Sequence, residues 1–116
     1  MNSDRKASPP WGTWSVLADD DAFKVKRIEV IPGGRLSYQK HFRREEHWYV
    51  VKGQALAIID GRELRLEEGD SLDVGKGASH RIANVGETLL VFVEVQRGDY
   101  FGEDDIVRLQ DDYGRV

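Results

Sequence analysis

The sequence predicts an all-β fold arranged as a two-sheet jelly roll. Between residues 23 and 96, short runs rich in Val, Ile, Leu and aromatic residues alternate with breaks at Gly or charged residues, which is the rhythm of strands. Eight such runs follow at even spacing, and no long helical period interrupts them, a pattern that favours a jelly roll. The 116 residues suffice for one domain with a hydrophobic core, so a single site is expected.

The elements follow from the breaks between runs. Asp60-Gly61 predicts a tight hairpin, because Asp and Gly tolerate the positive φ angles of a primed turn. The acidic segment from Gly102 to Asp105 is expected to cap a short C-terminal helix over 106–110, because acidic groups favour the positive end of a helix. We predict a mobile tail over 1–9 and one domain over 10–116. The predicted strands span 23–31, 36–41, 48–52, 54–60, 62–66, 71–74, 80–84 and 89–96.

The composition excludes several classes of function. Because the chain has no cysteine, disulfides, thiolate metal ligands and thiol nucleophiles are excluded. A net charge of −4 gives no general attraction to nucleic acid or to an anionic membrane, and no run is long and apolar enough to cross a bilayer. The charged N-terminal residues lead to Pro9 and Pro10 without an apolar secretory stretch, so a soluble, cytoplasmic protein is expected.

Two spaced motifs supply candidate metal ligands. Alternate residues of a strand share a face, so Gln39 and His41 point the same way if 36–41 is extended. The charged connection 42–45 lets the chain reverse and return Glu46 to that face. In the second motif, the glycine-rich turn at 75–77 delivers His80 from a later strand. The sequence therefore predicts one site with two imidazoles, one carboxylate and one carboxamide.

This donor set suits a borderline divalent cation. We expect Zn²⁺ first, with Mn²⁺, Fe²⁺, Co²⁺ and Ni²⁺ as alternatives. Four protein ligands leave a position open for water or substrate if the ion is five- or six-coordinate. The single carboxylate leaves a net charge of about +1 on the site, which favours an anionic or oxygen-rich ligand.

Together the two motifs have the spacing of the cupins, with Gln39 where the commoner form has His and Gly75 where it usually has Pro. Within that fold the chain resembles the type II phosphomannose isomerases, often the C-terminal domain of bifunctional mannose-1-phosphate guanylyltransferase/mannose-6-phosphate isomerase. The resemblance runs from Pro10 onward, and only the isomerase half is represented. The matching segments are Pro10-Trp11-Gly12, Phe23-Lys24-Val25-Lys26-Arg27-Ile28, Pro32-Gly33-Gly34-Arg35-Leu36-Ser37-Tyr38-Gln39, Glu46-His47-Trp48 and Gly102-Glu103-Asp104-Asp105-Ile106-Val107-Arg108.

The resemblance implies interconversion of mannose 6-phosphate and fructose 6-phosphate through a cis-enediol. This reaction needs a base, an electrophile that stabilises the oxyanion, and a phosphate anchor. Metal on Gln39, His41, Glu46 and His80 would act as the electrophile. The family's His-His-His-Arg run here reads His41-Phe42-Arg43-Arg44, which changes two of the three His residues.

Four basic residues are candidates for catalysis or substrate binding. Arg44 matches the family's Arg, and its guanidinium suits bidentate phosphate contact. Arg43 shares a face with the ligands if the strand continues and then holds a phosphate or carboxylate; otherwise it is a solvated charge. Lys24 and Lys26 alternate on one strand face and are candidates for proton transfer or phosphate binding, or else form a solvent-facing pair.

Two other functions stay open. A non-catalytic cupin that binds a sugar or sugar phosphate is favoured by the altered His run. A metal-dependent oxygenase also uses two His and a carboxylate, but Gln39 would fill a position that oxygen chemistry needs open. In each case the expected partner is a small molecule, not nucleic acid or a membrane. A homodimer through a sheet face is also expected by resemblance; alternation divides the aromatic candidates Trp48, Tyr49 and Phe92 between the two sides of the sheet.

Overall fold

A computed structural model describes residues 5–114, with the side chain of Glu103 excepted. It confirms the all-β prediction. The strands pair antiparallel in two sheets, with orders β1-β2-β3-β10-β5-β8 and β11-β4-β9-β6-β7. The only helical element in this part of the chain is a 3-10 turn at Glu103–Asp105, and no helix in it is long and apolar enough to cross a membrane. The strands are β1 Lys6–Ala7, β2 Gly12–Asp19, β3 Phe23–Val30, β4 Tyr38–His41, β5 Arg44–Lys52, β6 Ala55–Ile59, β7 Arg62–Leu66, β8 Ser71–Val74, β9 His80–Asn84, β10 Leu90–Gly98 and β11 Ile106–Gln110.

All eight predicted strands are found, three of them with the predicted bounds, whereas β1, β2 and β11 were not predicted. β1 lies inside the segment predicted to be a mobile tail and pairs with β2. Residues 1–4 lie outside the described residues, so the division at residue 9 stays a prediction. The hairpin at Asp60-Gly61 is confirmed, with φ angles of 49° and 81°.

The predicted C-terminal helix over 106–110 is wrong, because these residues form β11. They pair with β4, so that Ile106 lies opposite His41 and Arg108 lies opposite Gln39. The β-branched residues Ile106 and Val107 favour an extended chain. Pairing also satisfies backbone groups along the outer edge of β4, which no local feature of the segment reveals.

The interior divides into an apolar end and a polar end. Along β10, the inward residues Leu90 and Phe92 are followed by Glu94 and Gln96, all buried. The same boundary occurs on the two neighbouring antiparallel strands, where the buried polar residues Lys26 in β3 and Glu46 in β5 precede the buried apolar residues Ile28 and Trp48. Of the three aromatic candidates, Trp48 and Phe92 are therefore buried and Tyr49 is exposed. The buried apolar residues are Trp11, Ile28, Val30, Trp48, Val50, Ala55, Ala57, Leu66, Val74, Ile82, Leu90, Val91 and Phe92.

Candidate metal and substrate site

Three of the four predicted ligands converge at the polar end. His41 ends β4, Glu46 lies in β5 and His80 begins β9, and all three are buried. Glu46 Oε2 lies 3.5 Å from His41 Nε2, and Glu46 Oε1 lies 3.8 Å from His80 Nε2. One ligand atom from each residue lies within 4.8 Å of the other two, which fits a His-His-Glu metal-binding triad.

Backbone carbonyls fix the orientation of both imidazoles. His41 Nδ1 lies 3.3 Å from the carbonyl oxygen of Asp105, and His80 Nδ1 lies 3.1 Å from that of Ala78. Since a carbonyl only accepts, each Nδ1 is the donor and each Nε2 is the nitrogen that carries the lone pair. This is the arrangement that outer hydrogen bonds give to metal-binding His residues.

Burial also keeps His80 uncharged. Loss of hydration lowers the pKa of this imidazole below its usual value, although the hydrogen bond to the Ala78 carbonyl acts in the opposite direction. A neutral imidazole is the form that binds a metal ion. The site therefore presents His80 as a ligand at neutral pH.

Glu46 is held by a donor on each oxygen. Trp48 Nε1 donates to Oε1 at 3.0 Å, and Arg44 Nε donates to Oε2 at 3.1 Å. The Trp48 ring also packs edge-on against His80, with 5.6 Å between ring centroids. These contacts orient the carboxylate toward the two imidazoles.

Arg44 lies at the centre of the site. It is buried, and its Nη2 lies 3.0 Å from His41 Nε2 while Nη1 donates to the Phe101 carbonyl at 3.4 Å. With its bond to Glu46, the guanidinium contacts two of the atoms that a metal ion would use. An ion bound there must therefore take the place of these Arg44 contacts.

Gln39 lies beside the triad in the same cavity. It is the cross-strand partner of His80, and its Nε2 donates to Ser37 Oγ at 3.0 Å. Because the amide nitrogen is used in this way, the carbonyl oxygen is the atom that remains for an ion. The structure thus brings all four predicted ligands to one cavity, three of them at mutual ligand distance.

The predicted basic residues divide into two groups. Lys26 is buried and lines the cavity, with its Nζ 4.4 Å from the centroid of the Trp14 ring. Lys24 is partly buried and is not among the residues that line the cavity. Arg44 lines it as described above.

Arg43 is not brought to the cavity, contrary to the expectation that it shares a face with the ligands. β4 ends at His41, and the chain then turns into the other sheet. The Arg43 side chain is about half exposed, with Nε 3.2 Å from Asp99 Oδ1 and its guanidinium over the Tyr100 ring. The alternation argument fails because the strand does not continue.

Glu94 is a site residue that the sequence analysis missed. It lines the cavity, and Gln96 Nε2 donates to its Oε1 at 2.6 Å. Burial, followed by the negative charge and hydrogen bond of Glu46, raises the pKa of Glu94 to about 7, against the opposing effect of Lys26 and Arg44. Strand alternation could have identified Glu94 as an inward-facing residue, because it shares a face with the apolar residues Leu90 and Phe92.

Two further arginines line the cavity, both missed as site residues. Arg81 is buried and structurally engaged: Nε donates to the Leu36 carbonyl at 2.8 Å, and both Nη atoms donate to Gln110. Arg108 lines the cavity from β11 and is partly buried. No spacing in the sequence marks either residue, because their position depends on how β11 pairs.

The two sheets and the enclosed His-His-Glu site together define a cupin. The solved Schizosaccharomyces pombe Cnp3 cupin domain superposes with a TM-score of 0.73 at 14% identity, covering 75% of this chain and 64% of that chain. More narrowly, the family described as "Mannose-6-phosphate isomerase C-terminal" matches residues 1–111. The chain belongs to this family.

Relatives of known name agree with this assignment. A mannose-1-phosphate guanylyltransferase of Sinorhizobium fredii is 46% identical over 103 residues, covering 89% of this chain and 20% of the relative. The xanthan biosynthesis protein XanB of Xanthomonas campestris is 46% identical over 112 residues, covering 97% and 24%. The chain therefore spans about a fifth to a quarter of the length of these relatives.

Proposed function

We propose that this protein is a metal-dependent sugar-phosphate isomerase that interconverts mannose 6-phosphate and fructose 6-phosphate. The observation that carries the proposal is the buried triad of His41, Glu46 and His80, which shares one cavity with groups able to move a proton. Membership of the mannose-6-phosphate isomerase family supports the choice of substrate.

The ion would be held by His41, Glu46 and His80, with Gln39 as a fourth ligand, and Zn²⁺ is our first choice. A divalent ion here supplies Lewis-acid polarisation of the substrate's carbonyl and hydroxyl oxygens. The donor set fits it, because both Nε2 atoms are unprotonated and the Glu46 carboxylate faces them. Protein with its ion removed is expected to be inactive and to regain turnover when Zn²⁺ or Mn²⁺ is restored.

Lys26 and Glu94 are the proposed acid–base groups. They are cross-strand partners on β3 and β10, and both line the cavity. Moving a proton between C1 and C2 needs a group that titrates near the working pH, and the pKa of Glu94 is about 7. Lys24 lies outside the lining and is assigned no step.

Arg44 is proposed to contact the substrate once the ion has taken over His41 and Glu46. Its guanidinium lines the cavity and carries donors of the kind that stabilise an oxyanion. This assignment keeps Arg44 among the catalytic residues but gives it the reacting end of the sugar instead of the phosphate contact predicted from the sequence. Arg43, bonded to Asp99 outside the cavity, is given no substrate contact.

The test is a coupled assay for fructose 6-phosphate, with the purified chain in Zn²⁺ or Mn²⁺. His80→Ala should abolish turnover and lower the bound metal per chain, because one of three buried ligands is lost. His47→Ala is the matched control, since this exposed residue pairs with Asp73 on the outer face at 2.6 Å. Equal turnover in wild type and His80→Ala would contradict the proposal.

A second candidate function is non-catalytic binding of a sugar or sugar phosphate. The observation that favours it is the Arg44 guanidinium, which contacts the atoms of His41 and Glu46 that an ion would need. Saturable sugar binding without turnover, by protein that retains its metal, would support this function instead. Gln39 lies in the same cavity as the triad, which counts against the oxygenase alternative because Gln39 would fill a position that oxygen chemistry needs open.

A further inference from the structure

We propose that Arg108 anchors the anionic group at the end of the substrate remote from the metal ligands. The inference rests on the proposed function. It names a binding residue outside the run 41–44, where the sequence analysis looked for the phosphate contact. Arg108 lies in β11 opposite Gln39, and Gln39 lies opposite His80 in β9. The three residues therefore form one row across the five-stranded sheet, and all three line the cavity.

The Arg108 guanidinium is buried at Nε and lacks a partner there. Within residues 5–114, Nε is buried and has no hydrogen-bond partner. A buried donor without a partner is unfavourable, and a guanidinium stays charged at any physiological pH. An anion with several oxygens in the cavity would supply the missing acceptors.

The other arginines near the cavity have their donors in use. Arg81 donates from all three guanidinium nitrogens to Leu36 and Gln110. Arg44 contacts the ligand atoms of His41 and Glu46. Arg108 is thus the cavity arginine with a fork still available for bidentate contact to a phosphate.

The spacing suits a phosphorylated sugar. Neighbouring strands lie about 4.8 Å apart, so β9 and β11 are separated by about 10 Å across β4. A hexose whose C1 and C2 lie at the His41, Glu46 and His80 cluster would extend along this row toward Arg108. The terminal phosphate would then meet the guanidinium, with Gln39 between the two ends.

The test measures binding without turnover. Zinc-loaded protein is titrated calorimetrically with 1,5-anhydromannitol 6-phosphate and with 1,5-anhydromannitol, neither of which can isomerise because both lack the C1 carbonyl or hydroxyl. The dissociation constant of 1,5-anhydromannitol divided by that of its 6-phosphate reports the contribution of the phosphate to binding. Arg108→Met, which keeps an unbranched apolar stem, should lower this ratio about 10- to 100-fold, the range for a charge-assisted contact.

Two further variants make the result specific. Arg97→Met is the matched control, because Arg97 is largely exposed and its Nε lies 3.4 Å from Glu45 outside the cavity. It should keep the wild-type ratio. Arg108→Lys keeps the charge but offers a single nitrogen in place of the fork, so it should show a smaller loss than Arg108→Met.

The outcomes separate this inference from the proposed function. A lower ratio in Arg108→Met supports the anchor even if the wild type shows no isomerase activity. Equal weakening of both ligands, or an unchanged ratio, overturns it, because Arg108 would then only shape the cavity. If Arg108→Met does not fold, a ratio in Arg108→Lys equal to that of the wild type overturns it as well.

Discussion

The buried carboxyl of Glu94 should make the free energy of unfolding depend on pH, and Glu94→Gln should remove that dependence. In the folded protein its pKa is about 7, against an ordinary value of 4.5. The folded state therefore holds a proton more tightly than the unfolded state. Its contribution to stability is fully present below about pH 4.5 and is lost as pH rises toward about 7.

The size of the effect follows from the difference between the two pKa values. A difference of about 2.5 units corresponds to about 3 kcal/mol at roughly 1.4 kcal/mol per unit. Gln at this position cannot ionise, so it avoids the cost of a buried charge next to Glu46. As pH rises from 5 to 8, the free energy of unfolding of Glu94→Gln relative to wild type should increase by most of this amount. Any pH-independent effect of the substitution adds the same constant at every pH.

Urea unfolding of chelator-treated protein at several pH values measures the effect. Glu63→Gln is the control, because Glu63 is exposed on β7 and its change should give a difference that is flat with pH. If Glu94→Gln and wild type lose or gain stability in parallel between pH 5 and pH 8, the assignment of a raised pKa to Glu94 is wrong.

Two predictions concern the backbone around the site. Gly53→Ala should destabilise the fold more than Gly69→Ala, because both positions have φ near +90° but only at Gly53 would a Cβ meet backbone, 2.8 Å from the Leu89 oxygen. Chemical unfolding should show a loss of about 1–3 kcal/mol for the backbone strain that both variants share, and a larger loss for Gly53→Ala. Equal losses would refute the clash. Asp105→Ala should lower the free energy of unfolding by about 1–3 kcal/mol and weaken zinc binding, because the carboxylate accepts hydrogen bonds from the backbone N–H groups of residues 42 and 43, which follow His41. Unfolding and zinc titrations that match those of the wild type would contradict this.

The spacing of the ligands was readable from the sequence because strand geometry is regular. Gln39 and His41 lie two residues apart on one strand, and such residues share a face whatever the rest of the fold does. The glycine-rich turn and the position of His80 likewise depend on local chain geometry. These local rules identify His41, Glu46 and His80 as candidate ligands, whereas their convergence depends on the pairing of β4 with β9 and on the packing of the two sheets.

Arg43 and Glu94 show where local rules stop. The alternation that places Gln39 correctly misplaces Arg43, because the end of β4 at His41 is set by the passage to the other sheet. Glu94 is an ordinary carboxylate in the sequence, and its pKa rises because folding removes it from water and brings Glu46 beside it. Both facts depend on which strands are neighbours.

The sequence by itself determined the all-β class, the eight central strands, the primed turn at Asp60-Gly61 and the residues able to bind a metal, because periodicity, turn chemistry and donor type are local properties. The tertiary structure decided that 106–110 is a strand and that Arg108 faces the cavity beside Gln39. It also placed Arg44 against the ligand atoms. Strand pairing joins residues more than 60 positions apart, and its free energy outweighs the weak local preference of a five-residue segment.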